Sequence, residues 1–331
     1  MRCMIYAILF SLLVGISSYA SEGTGGVDVR IQSTFDAVDR GLNRTTRPTQ
    51  QFIIPAPTPA PLPAIDSQEE GSQPLLEALA TQGGTAVKPP KYYALIVGID
   101  SYRRLPMLEN AANDAAVVGQ VLREKYGFET RILLNEEASR DAIMSALNDL
   151  RRKLTEDANL LIYYSGHGEY NAQTETSYWL PVDASRDDTT KWIESRSISD
   201  QLKLISARHI LVVADSCFSG TITRSAGGKL TGKVSREKYL QKVLDQSSRV
   251  LIASGGNEPV LDAGGRRGHS VFADSLINAL SEPFDKVFTA EELMSRHLKE
   301  SVAGRAEQLP EYKVIRNSGH EGGDFVFRKT R

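Results

Sequence analysis

Three short runs in this chain contain almost nothing but apolar residues: 92–99 (YYALIVGI), 159–164 (NLLIYY) and 209–214 (HILVVA). A strand with one face in water alternates apolar and polar side chains. A continuous apolar run of this length marks a strand covered on both faces, as in a parallel sheet. Helical periodicity separates these runs, over 113–126 and 139–154, with a further strand at 128–134. A helix at 199–205, a strand at 250–254, helices at 271–280 and 290–302 and closing strands at 312–315 and 324–327 complete the pattern. Alternating strands and helices predict an α/β fold: a three-layer α/β/α sandwich around a mostly parallel six-stranded sheet.

That domain spans 91–330 of the 331 residues, and the segments before it are unlike it. Arg2, an apolar stretch at 4–16 and the small residues Ser18 and Ala20 read as a secretory signal peptide over 1–20. The stretch is too short for a comfortable membrane span, which needs about 20 residues, so no stable membrane insertion is expected after cleavage. The expected location is outside the cytoplasm, periplasmic or secreted. Residues 21–90 include IPAPTPAPLPA at 54–64, whose alternating proline and alanine favour a semi-rigid extended spacer, so this region reads as a largely unstructured linker or pro-segment. A formal net charge of −2 gives no basic field for nucleic acid, which is excluded as a partner.

Chemistry is expected where buried strands end, because open α/β sheets collect reacting groups beyond their carboxyl edges. The strand at 159–164 runs on into Ser165-Gly166-His167-Gly168, and that at 209–214 into Asp215-Ser216-Cys217-Phe218-Ser219-Gly220. If the two strands are neighbours, His167 and Cys217 can meet as base and nucleophile, the thiolate being the attacking species. The backbone amides of Gly168 and Cys217 are candidates for an oxyanion site. Cys3 falls within the signal segment, so Cys217 is the only thiol of the mature chain and forms no internal disulfide. Taken singly, a cysteine at a strand end also fits a buried apolar role and a histidine between glycines a turn.

The segments Tyr164-Ser165-Gly166-His167-Gly168 and Asp215-Ser216-Cys217-Phe218-Ser219-Gly220 resemble the two signatures of the caspase-like cysteine peptidases, closest to the metacaspase and bacterial orthocaspase branch. The interval of 50 residues between His167 and Cys217 is similar to that family's, as are Val97-Gly98-Ile99, Asn113-Asp114, Trp179-Leu180-Pro181-Val182-Asp183 and Ala253-Ser254-Gly255-Gly256. The resemblance implies a caspase-like fold, hydrolysis of peptide bonds through a Cys217–His167 dyad, and protein or peptide substrates. It also implies cleavage after Arg or Lys, with Asp215 lining the pocket for that side chain and Asp114 as a second acid by motif position.

Physical reasoning agrees on Asp215. A carboxylate beside a thiol raises the thiol pKa, so Asp215 is poorly placed to activate Cys217 and well placed to receive a cation. Asp114 fits equally a residue placed against a helix dipole. Asp183 is a weaker third pocket acid and fits a turn former. Arg266 and Arg267, which could suggest an Asp-directed pocket, sit in the glycine-rich segment GGRRGHS and read as a solvated loop.

The basic stretch 221–242 suggests a cuttable loop, with Arg224, Lys229, Lys233 and Arg236 as self-processing candidates. The chemistry requires no cofactor. Calcium activation occurs in parts of the resembling family, but no ligands are assignable here, and the five histidines show no metal spacing. His209, opening an apolar strand, reads as structural. The rival to an enzyme is a catalytically silent caspase-like domain serving as an exported binding or scaffold module.

Overall fold

The computed structural model describes residues 90–216, 223–225, 235–255, 264–283 and 285–330. The signal peptide expected over 1–20 and all but residue 90 of the linker or pro-segment expected over 21–90 lie outside them, as does Cys217.

The central sheet is built from β1 (Lys91–Gly98), β2 (Glu129–Leu134), β3 (Ala158–Ser165), β7 (His209–Asp215) and β9 (Ser248–Ala253), all parallel, in the order β2-β1-β3-β7-β9. β11 (Glu311–Ile315) adds antiparallel to β9 as the sixth strand. A three-residue strand, β8 (Thr223–Ser225), extends the edge beyond it. The expected mostly parallel sheet in an α/β fold is therefore present.

The reason that the strands are apolar throughout is visible in where alternate residues go. Leu95, Val97, Leu160, Ile162, Tyr164, Ile210 and Val212 face one core, packed by α2 (Arg140–Lys153) and α3 (Ser195–Leu204). Ala94, Ile96, Leu161, Tyr163, Leu211 and Val213 face the other, packed by α1 (Ala111–Tyr126) and α5 (Val271–Ser281). Each strand thus feeds two buried layers with a period of two. A close approach of α1 to β1 requires glycine at position 98, where an added Cβ would lie 2.4 Å from that of Ala115.

Elsewhere the sequence pattern needs correction. The stretch 221–242 is not loop throughout: α4 (Arg236–Asp245), capped by Ser235, buries Leu240 and Val243 against Val287 and Val326. The strand expected at 324–327 lies outside the main sheet, where β12 (Val326–Arg328) pairs antiparallel with β10 (Val287–Thr289). The helix expected at 290–302 is broken by a π turn, Met294–Leu298, between α6 (Ala290–Leu293) and α7 (Lys299–Ala303). The segment after β3 forms a small antiparallel sheet of β4 (Gly168–Asn171), β5 (Thr176–Trp179) and β6 (Ile193–Glu194).

His209 opens β7 and is buried. Burial, reinforced by the Arg208 and Arg249 cations, pushes its pKa down to about 4. Between pH 6.5 and 4 the unfolded chain therefore binds a proton that the folded chain refuses, so stability is fully present above the upper value and falls as the pH drops. At 1.36 kcal/mol per unit this is roughly 2–3 kcal/mol by pH 4.5. Urea unfolding at pH 7 and pH 4.5 should show His209→Gln losing less stability on acidification than wild type by about that amount. An equal loss in both proteins would exclude the assignment.

Candidate active site

The register of the sheet brings the two strand ends together. β3 and β7 pair in parallel, with Tyr164 opposite Ala214 and Ser165 opposite Asp215. His167 and Cys217 each follow the last registered pair by two residues.

His167 is held from three sides. Its amide donates to Tyr102 Oη at 2.7 Å, its carbonyl accepts from Tyr164 Oη at 2.7 Å and from the Leu180 amide at 3.1 Å, and its ring packs on Tyr102 with centroids 4.7 Å apart. Tyr164 is itself fixed by parallel stacking on Trp179, centroids 4.4 Å apart. Gly166 lies so close to this cluster that a Cβ would stand 2.6 Å from Tyr102 Oη, which gives this glycine a packing role.

The remaining contact decides the chemistry. His167 Nε2 lies 2.9 Å from the Pro106 carbonyl oxygen. A carbonyl can only accept, so Nε2 carries the proton and Nδ1 of the neutral ring is the lone-pair nitrogen. A third group orienting the base therefore exists, although no such residue is identifiable in the sequence. It is a backbone atom, and backbone atoms leave no residue-type signal.

Asp215 lies on the opposite side of the sheet edge, on the face of α1 and α5. It is buried, and its Oδ2 accepts from Ser270 Oγ at 2.7 Å. Ser270 is the N-cap of α5, its Oγ also accepting from the Ala273 amide at 2.9 Å. One hydroxyl thus closes a helix end and aims a carboxylate, and the helix dipole favours the negative charge there.

Asp114 belongs to the same cluster but is fully buried with both oxygens engaged: Oδ1 is 2.6 Å from His269 Nδ1, and Oδ2 accepts from the Ser270 amide at 3.1 Å. Burial pushes its carboxyl pKa up, while the His269 and Ser270 hydrogen bonds pull it down. In this arrangement Asp114 orients the 264–270 segment and is not open to a ligand. Arg266 and Arg267 in that segment are exposed, as expected of a solvated loop. Arg266 is exposed beside Asp274, but His269 and Ser270 are buried.

Asp183 is not brought to the site. It accepts from the Arg140 amide at the start of α2 at 2.9 Å and pairs with Lys191 at 3.6 Å, in a cavity on the other face. Among the processing candidates, Arg236 is the first residue of α4, its guanidinium clamped by Glu292 at 2.6 Å and by the Val287 carbonyl at 2.7 Å. Helical and anchored, it is not part of a cuttable loop. Arg224 lies in β8 opposite Val314, and Lys229 and Lys233 lie outside the described residues.

Gly168 borders, with His167, a cavity of about 360 Å³. Among the described residues no group of three or more His, Cys, Asp or Glu side chains converges as a metal ion would need, and no helix is long and apolar enough to cross a membrane.

A parallel sheet flanked by helices on both faces, with a tautomer-fixed histidine beyond one central strand and a buried acid ending the next, defines a caspase-like hydrolase architecture. The chain matches the caspase domain (peptidase family C14) over residues 91–318 and belongs to that family. No curated protein matches it significantly. Among solved structures it is similar to protein GSU0716 from Geobacter sulfurreducens, at 16% identity and a TM-score of 0.49, covering 70% of this chain and 97% of that one.

Proposed function

We propose that the chain is a cysteine endopeptidase that hydrolyses peptide bonds after Arg or Lys. The observation carrying this reading is the placement of Asp215: a buried carboxylate, aimed by Ser270, closing the strand that leads into Cys217 and paired in register with the strand that leads into His167.

In this mechanism the Cys217 thiol gives its proton to His167 Nδ1, and the resulting imidazolium keeps its Nε2–H on the Pro106 carbonyl. The thiolate attacks the scissile carbonyl, and the oxyanion is received by the amides of Gly168 and Cys217. The C–N bond breaks as Nδ1–H protonates the leaving amine. Water, deprotonated by His167, then hydrolyses the thioester and restores the thiol. Asp215 binds the guanidinium or ammonium of the residue before the cut. That cation also offsets the carboxylate charge that would otherwise disfavour the thiolate.

Self-processing within 221–235, after Arg224, Lys229 or Lys233, accompanies this activity, as does export directed by residues 1–20. Peptidyl-Arg-aminomethylcoumarin is the direct test: wild type should release the fluorophore and Cys217→Ala should not. Equal release by both proteins would remove the Cys217 mechanism, and no release by an active-site-intact wild type would favour the silent scaffold.

A further inference from the structure

The Pro106 carbonyl that fixes the tautomer of His167 is carried on the connection between β1 and α1, which contains neither helix nor strand. Such a connection holds an atom in place only where it is tied down. The Leu108 amide donates to the Asp100 carbonyl at 3.0 Å, so residues 100–108 form a closed loop with Pro106 inside it. One side chain grips its base. Asn135, the first residue after β2, accepts through Oδ1 from the amides of Asp100, at 2.8 Å, and Ser101, at 3.0 Å. Its neighbours add further ties. Glu136 pairs with Arg103 at 2.6 Å, and the Ala138 carbonyl accepts from the Val182 amide at 3.1 Å. The Val182 carbonyl in turn accepts from the Arg103 amide at 3.2 Å. Asn135 has a φ of +47°, a region that asparagine enters more readily than most residues.

We infer that Asn135 is a positioning residue for the base: it holds the 100–108 loop so that the Pro106 carbonyl stays on Nε2–H and the lone pair of His167 stays on Nδ1. Resting on the proposed peptidase activity, the inference adds to the dyad a residue at the end of a different strand, acting through the loop. Tyr102 rides on the same loop, its hydroxyl accepting from the His167 amide and its ring packed on the imidazole. Release of the loop therefore moves two supports of the base together. The loop sends Tyr102 and Leu105 into the core under α2 and α3, whereas Asp215 stands with α1 and α5. Loss of the Asn135 acceptor should therefore act on turnover and leave binding of the substrate cation alone. A misplacement of about 1 Å at a reacting group costs up to roughly 10²-fold in rate.

The test uses the full chain and two readouts. Histidine side-chain nitrogen NMR, with His167→Ala to identify the signals, shows which nitrogen of the neutral ring carries the proton. Turnover of peptidyl-Arg-aminomethylcoumarin gives kcat and KM. Wild type should show His167 protonated at Nε2. Asn135→Gly keeps the left-handed backbone and removes the acceptor. It should give a mixture of tautomers and a kcat lower by about tenfold or more, with KM within about twofold of wild type. Asn135→Asp keeps an acceptor for both amides and should retain the wild-type tautomer, with kcat within about threefold. A neutral His167 protonated at Nδ1 in wild type overturns the inference, whether or not the glycine variant folds. An unchanged tautomer or an unchanged kcat in Asn135→Gly also overturns it, as does an equal loss in Asn135→Asp. Absence of turnover in wild type overturns instead the peptidase reading beneath it. The nitrogen spectra still decide whether Asn135 holds the base, so the two failures are distinct.

Discussion

Replacing Cys217 by alanine is expected to lower kcat/KM on Arg-containing peptides by roughly 10⁴-fold or more, to the level left by binding and the oxyanion site alone. The physical reason is that the thiolate forms the covalent intermediate, and alanine at that position offers no substitute nucleophile. His167→Ala should cost a similar amount. The double variant should cost little more than either single one, because nucleophile and base act as a unit. Multiplicative losses would mean that the two residues contribute independently and that the dyad is wrongly assigned. Folding is a separate question from activity here. His167 is anchored through its backbone to Tyr102, Tyr164 and Leu180, so removal of its imidazole leaves those bonds in place.

The second large effect concerns selectivity. Asp215→Asn keeps an acceptor for Ser270 Oγ and so preserves the α5 cap, but it removes the charge. Leaving a substrate cation without its partner in a buried pocket costs about 2–5 kcal/mol, or roughly 30- to 5,000-fold in kcat/KM for Arg and Lys substrates. A peptide with neutral glutamine before the cut should be affected far less. Equal losses on both peptides, measured on protein with unchanged thermal unfolding, would show that Asp215 supports the site without reading the substrate. The asparagine variant isolates charge from shape, a separation that alanine would not give.

How much of this was legible beforehand follows from which signals side chains write into a sequence. The parallel sheet was legible because strands buried on both faces cannot alternate, and 92–99, 159–164 and 209–214 do not. The adjacency of β3 and β7 was only an inference until the register of Ser165 and Asp215 was seen. Helix α4 was hidden because its apolar face is reduced to Leu240 and Val243 among basic residues, with burial supplied by Val287 and Val326 far along the chain. β8 and β10 are three residues each, too short for any periodicity.

At the site, residue types pointed to His167 and Asp215 but not to the groups that hold them. Pro106 acts through a carbonyl and Tyr102 through a contact across 65 positions, which no local pattern encodes. Ser270 stands directly before the apolar run at 271–280, and nothing local to it signals a donor to Asp215. Asp114 and Asp183 show the opposite failing. Each carries the acidic group that a pocket needs, and tertiary structure spends the first on His269 and Ser270 and the second on the start of α2.

The most direct measurement of the central claim is a cleavage profile on a complex peptide mixture, reading every new terminus, with Cys217→Ala run in parallel. The account predicts cuts after Arg and Lys in wild type and none in the variant. Cuts after Asp, or cuts after Arg and Lys that persist in Cys217→Ala, would contradict it.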